Sequence, residues 1–202
     1  MPANLVSPTV QSTALSIFSN LLAQIISSYK NDTPISFNLA AVFNFAVYTI
    51  ISTPPNILWQ SFLEDVFPTN VPAAHPTPAS KPASANGKEK PASQKTGTRT
   101  SKTNVIMKFL LDMTLGAVLN NLMFLVFMGY ANAPATATSA QASWAAVQHE
   151  VKEKFWVLMK DGLKLWPFVS LVSFLFVPVE RRVLLGSLVG VGWNIYLSLL
   201  AG

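Results

Sequence analysis

Charged side chains are bunched along this chain, and the gaps between the bunches set the scale of its elements. Uncharged blocks run over residues 1–29, 33–63, 113–149 and 183–202, and a further one over 165–179. A helix needs roughly 20 mostly apolar residues to cross a hydrocarbon layer of about 30 Å. Three stretches meet that need most clearly: FNLAAVFNFAVYTIIS at 37–52 with its flanks, VIMKFLLDMTLGAVLNNLMFLVFMGY at 105–130, and VLLGSLVGVGWNIYLSLL at 183–200. The stretch LWPFVSLVSFLFVPV at 165–179 is short for a crossing, so it is expected to extend backward through FWVLM at 155–159. The first block, TVQSTALSIFSNLLAQIISS, is interrupted by Ser, Thr, Asn and Gln; it is read as a helix whose polar stripe faces protein, since lipid cannot satisfy those groups.

Residues 144–166 show a different period. Trp144, Val147, Val151, Phe155 and Leu158 recur at spacings of three and four, with Gln148, Glu150, Lys152, Glu153 and Lys154 between them. That is an amphipathic helix over 144–164, expected to lie along a membrane interface before turning into the bilayer. The expected architecture is therefore all-α: an integral membrane bundle of about four transmembrane helices, five if 155–179 and 183–200 both cross fully, plus this interfacial helix. The competing arrangement, a soluble bundle of buried helices, should show a polar side on its surface helices, and residues 183–202 show none.

Composition agrees with lipid contact. Half the residues are apolar and 11% are charged, where an ordinary globular domain carries about 25% charged. Residues 69–104 break the pattern: five prolines, abundant Ser, Ala and Thr, and six basic residues against one acid. Such a chain cannot bury enough apolar surface to offset its ordering entropy, which predicts a disordered basic linker between a membrane unit at 1–68 and another at 105–202. The charges elsewhere balance, so the formal net charge of +5 resides in this linker. Its bases are not interleaved with aromatics, which argues against nucleic acid; a solvated cytosolic loop follows from the positive-inside rule, and places the amino terminus in the cytosol too.

Candidate chemistry is sparse. There is no cysteine, which removes disulfides, thiolate nucleophiles and the commonest structural zinc sites. His75 falls in the linker and His149 in QHEVKEK, neither with a second histidine at metal or triad spacing, and no phosphate-cradling glycine loop is present. No enzyme, metal or cofactor is expected. The opening MPANLVSPTV predicts neither a cleaved secretory signal nor an Arg-rich presequence.

Polar groups inside apolar stretches are functional candidates by default. Lys108 and Asp112 stand four apart and are expected to pair on one helix face, with Asn120 and Asn121 two turns later. Arg182, after Glu180 and Arg181, belongs to an interfacial turn from which it could reach back to Asp112. Ser16, Asn20 and Gln24 on the first helix, with Asp112, Asn120, Asn121 and Asn194, either line a hydrated path or act as hydrogen-bond glue between helices. Gly186 and Gly190, with Gly192 behind, form a small-xxx-small stripe expected to let a neighbouring helix approach closely. Pro167 and Pro178 mark kinks or ends. Trp59, Trp144, Trp156, Trp166, Trp193 and Tyr196 are interface-belt residues, except any that line a path.

The stretch LKLWPFVSLVSFLFVPVERRVLLGSLVGVGWNIYLSLL resembles the carboxyl-terminal signature of the Mpv17 and PMP22 family of small peroxisomal and mitochondrial membrane proteins. The matching residues are Trp166, Pro167, Val177, Pro178, Arg182, Trp193, Tyr196, Leu197 and Ser198. Upstream, KFLLDMTLGAVLNNLMF looks like the family's third helix, and STPPNILWQSFLEDVFP looks like its Pro-containing turn, aromatic stretch and terminal Pro. Thr53 stands where the family usually has Gly, and Met113 replaces the Gln of its usual Asp-Gln. The resemblance covers nearly the whole chain apart from the linker. It implies about four spans in an organelle membrane and, in some members, passage of small solutes. LSIFSNLLAQ and NFAVYTIISTPP look nearer the peroxisomal branch, with the mitochondrial inner membrane as the alternative location. Two functions follow as expectations: a channel for small solutes, or a docking protein whose linker recruits a cytosolic partner. Lipid is the expected surrounding, and self-association into a homo-oligomer is left open.

Overall fold

The computed structural model describes residues 4–72, 98–131, 133 and 140–201, with the side chains of 140–142, 194 and 196–201 excepted. Among these residues the protein is almost entirely helical: α1 Val6–Lys30, α2 Leu39–Val66, α3 Lys102–Leu111, α4 Ala117–Ala131, α5 Ala140–Phe176 and α6 Val179–Ala201. A π turn at Asp112–Gly116 fuses α3 and α4 into one rod, Lys102–Ala131. α1 packs along α6 and α2, and α4 packs along α5, so the chain's two ends meet across the bundle.

By length and mean hydropathy, that rod (1.7) is the one helix among the described residues apolar enough to cross a membrane. The other expected spans do form helices, but their apolar runs are diluted by Ser, Thr, Asn and Gly. Those small polar residues are the ones turned inward. Ser12, Ser19, Ser52, Thr53, Ser170 and Ser173 are buried, whereas Phe18, Ile50, Leu119, Phe168, Phe176 and Leu188 are more than half exposed. The interior is thus more polar than the outside, the reverse of a water-soluble fold.

The prolines do less than the sequence suggested. α2 runs through Pro54 and Pro55, where a turn was expected, and α5 runs through Pro167. A proline removes one backbone donor; around Pro54 and Pro55 the side chains of Thr53 and Asn56 donate to the carbonyls of Thr49 and Ser52, at 2.7 and 3.2 Å, adding bonds on either side of the Ile50 and Ile51 carbonyls that the prolines leave without a helical donor. Pro178 does separate two helices. The amphipathic stretch 144–164 is not a separate interfacial element: it is the first part of α5, 37 residues in one helix. Its apolar stripe is seated against α4, with Val147 1% exposed.

Residues 73–97, the bulk of the expected disordered linker, lie outside the described residues. The linker's ends are ordered, so the unit boundary at 69–104 is drawn too wide. β1 Asn70–Pro72 and β2 Thr98–Thr100 form an antiparallel ribbon with Val71 opposite Arg99. Its root is closed by a backbone bond from Ser101 to Thr69 at 2.8 Å, and Ser101 caps α3 through Asn104.

Candidate functional site

Two polar centres lie between the helices, the first near the end of α2 and the starts of α3 and α6. The first is a charge cluster. Lys108, fully buried, donates to Glu64 Oε2 at 2.6 Å, and Arg182 Nη2 reaches the same oxygen at 2.7 Å. Thr69 closes it from the ribbon side: its backbone N–H donates to Glu64 Oε1 at 2.7 Å and its hydroxyl meets Oε2 at 3.0 Å. Both cations stand over the ring of Phe174, at 5.3 and 5.0 Å, which belongs with Leu63 and Val105 to one buried apolar cluster, while the Glu64 side chain stays 23% exposed. The expected Lys108–Asp112 pair is therefore not made, nor is a bond from Arg182 to Asp112. Both cations go to Glu64 because α2 brings it between them, a tertiary contact that i,i+4 spacing cannot reveal.

Asp112 anchors the second centre. Its Oδ1 accepts from Trp59 Nε1 at 3.0 Å and Gln60 Nε2 at 3.1 Å, and its Oδ2 from Ser170 at 2.7 Å. Three helices are tied by this one carboxylate. Asn120 exchanges two bonds with Asn56, at 3.2 and 3.0 Å, and Asn121 donates to the Met159 sulfur at 3.1 Å.

Between these groups lies a cavity of about 620 Å³ bordered by α1, α2, the rod, α5 and α6. Of the residues singled out from sequence, Ser16, Asn20, Asp112, Asn120, Asn121 and Arg182 line it. Gln24 does not: it is spent at the α1–α2 corner, donating to Asn20 Oδ1 at 2.7 Å and accepting from the Asn38 backbone at 2.7 Å. Lys108 sits behind the wall in the charge cluster. The side chains of Asn194 and Tyr196 lie outside the described residues, as does His75. Trp166 and Trp193 face the cavity, Trp59 serves Asp112, and Trp144 and Trp156 are the outward-facing tryptophans.

Gly186, Gly190 and Gly192 are not a contact stripe: a methyl group built on any of them would meet nothing within 4 Å. Gly186 and Gly190 border the cavity, so their missing side chains widen it. The close helix approach is at Gly129 instead, where an added Cβ would stand 2.6 Å from Val147 Cα.

Sequence reasoning missed Asn56, Gln60 and Glu64. They recur every fourth residue along α2, on one face of the helix, and that spacing was the available signal. Gln60 Oε1 and Arg182 Nη1 are buried without a hydrogen-bond partner among the described residues.

A helical bundle with its polar groups inside and its apolar groups outside is the construction of a membrane protein, and the relatives agree. Residues 137–198 match the Mpv17 / PMP22 family model. Over that segment the chain is similar to this family. The mitochondrial inner membrane protein Mpv17 of Caenorhabditis elegans is 43% identical over 60 residues, 26% of this chain and 33% of the relative. The peroxisomal membrane protein PMP22 of Arabidopsis thaliana is 27% identical over 97 residues, 48% of this chain and 47% of the relative. An uncharacterized protein of Schizosaccharomyces pombe is 23% identical over 207 positions, 92% of this chain and 77% of the relative. The chain thus spans about a third of the nematode protein's length and about half of the plant protein's. No solved structure matches it. Trp166, Pro167, Pro178, Arg182, Trp193 and Tyr196 all fall within the family-matched segment.

Proposed function

We propose that this chain is a non-enzymatic, multi-pass organelle-membrane protein whose central cavity is a water-filled path for small solutes. One observation carries the reading: a cavity of about 620 Å³ whose largely apolar wall is set with Asp112, Arg182 and several Ser, Thr and Asn side chains, inside a bundle with many large apolar side chains on its outer face. At about 30 Å³ per water, that is room for roughly 20 waters or one small metabolite. In this reading α1, α2, the rod, and the paired α5 and α6 all cross the bilayer, with polar residues facing the path and apolar ones facing lipid. Four crossings follow if α5 and α6 share one, and five if each crosses fully.

The test is current through purified protein in planar bilayers. The full chain should conduct, and Asp112→Asn should keep conducting while shifting selectivity away from cations, because the substitution removes the charge at the wall and retains an acceptor for Trp59. A silent bilayer with correctly folded protein would sink the path.

For location we propose the peroxisomal membrane, with the mitochondrial inner membrane as the alternative; relatives named for each organelle support both. With residues 73–97 facing the cytosol, protease added to intact organelles should cut between 72 and 103 and leave two membrane-embedded fragments. Protection of that segment in sealed organelles would invert the orientation. The same exposure is what recruitment of a cytosolic partner by the basic loop would need.

A further inference from the structure

The side chain of Arg182 is 4% exposed, and the three nitrogens of its guanidinium have different fates. Nε donates to the Val177 carbonyl at 3.1 Å and Nη2 to Glu64 at 2.7 Å, while Nη1 is buried with no partner among the described residues. Of the three charged groups in its cluster, Arg182 is the one that borders the cavity. A buried cationic donor without an acceptor is costly to leave unmade.

Asp112 cannot supply that acceptor in this arrangement. It balances the count of charges, two cations against two carboxylates, but its oxygens are engaged by Trp59, Gln60 and Ser170. Those bonds orphan a second atom. Gln60 turns its amide nitrogen to Asp112, so Gln60 Oε1 is left buried and without a donor on the same cavity. Gln60 and Glu64 stand one turn apart on α2, about 6 Å along the axis. An acceptor seeking a donor therefore sits about one turn from the carboxylate that holds Arg182.

We propose that the cavity contains a binding site for a small carboxylate that also carries a hydrogen-bond donor: the carboxylate meets Arg182 Nη1 and the donor meets Gln60 Oε1. Guanidinium is well matched to a planar carboxylate. The proposal rests on reading this cavity as the solute path, and it names the class of solute that would pause there.

The experiment is thermal unfolding of the full chain in detergent, followed by tryptophan fluorescence, at constant ionic strength with millimolar glycolate, acetate or acetamide. Glycolate offers carboxylate and hydroxyl, acetate the carboxylate alone, and acetamide the same size without charge. Glycolate should raise Tm by about 2 to 4 °C, acetate by less, and acetamide not at all. Arg182→Gln should abolish both rises; Gln60→Leu should keep the acetate rise and lose the extra given by glycolate. Arg181→Gln, which removes an exposed neighbouring charge, should keep both. Equal responses to acetate and acetamide in the unmodified chain would overturn the site whatever the variants do. A glycolate shift in protein that carries no current keeps the site and removes the conduction reading; current with no response to glycolate does the opposite.

Discussion

Replacing Glu64 with Leu is expected to lower stability by about 3 to 5 kcal/mol, the range for removing one partner from a buried ion cluster. Lys108 is fully buried and Arg182 nearly so, and both terminate on this one carboxylate. Without it two cations face each other over Phe174 with no counter-charge, and Thr69 loses the acceptor that fastens the ribbon. For a chain of this size the drop corresponds to a Tm lower by about 6 to 20 °C in detergent. Adding Lys108→Met to the same chain should recover part of the loss, because it removes one of the stranded charges. A Glu64→Leu protein within about 1 kcal/mol of the unmodified chain would mean that the cluster is hydrated rather than sealed.

Gly129→Ala is expected to cost about 1 to 3 kcal/mol through overpacking. The new methyl would meet Val147 at its Cα, Cγ2 and backbone nitrogen, 2.6, 3.0 and 3.2 Å away, and of these only the Cγ2 can rotate aside. α4 and α5 must separate to accept it, and Val147→Ala cannot relieve a contact with the backbone. Gly190→Ala is the contrast. It meets nothing within 4 Å, so stability should stay within about 0.5 kcal/mol, while the narrower cavity should carry less current. Equal melting temperatures for the two variants would show that the α4–α5 seam is looser than its geometry.

These two glycines show what a single sequence could and could not disclose. Helices at 37–52, 105–130 and 183–200 were legible because apolar runs of that length with few or no charges have few other solutions. Polar residues of the first helix and of the 105–130 run were legible as well, since Ser16, Asn20, Asp112 and Asn120 stand out against apolar neighbours. Partners were not. Whether Lys108 turns to Asp112 on its own rod or to Glu64 on α2 depends on how two helices are rotated against each other, and spacing along one helix carries no information about that rotation. The same ignorance assigned the contact role to Gly186 and Gly190 and passed over Gly129. Prolines 54, 55 and 167 misled for another reason: rules drawn from isolated helices overlook nearby hydroxyl and amide side chains able to bond carbonyls of the turn. The bounds of the linker failed at the ribbon, where pairing between residues almost thirty apart leaves no local trace.

The π turn at Asp112–Gly116 separates the rod into two phases. A turn with i→i+5 bonding holds one residue more than an α-helical turn, and a single residue is about 100° of helix rotation. The charge cluster is fixed by Lys108 before the turn, and the bond to Asn56 by Asn120 after it. With a uniform α-helix between them, seating Lys108 on Glu64 would swing Asn120 about a quarter-turn away from α2 and out of the cavity wall. That extra residue acts as a phase adjuster, allowing one continuous rod to address a charge cluster at one level and the polar groups of a cavity at another.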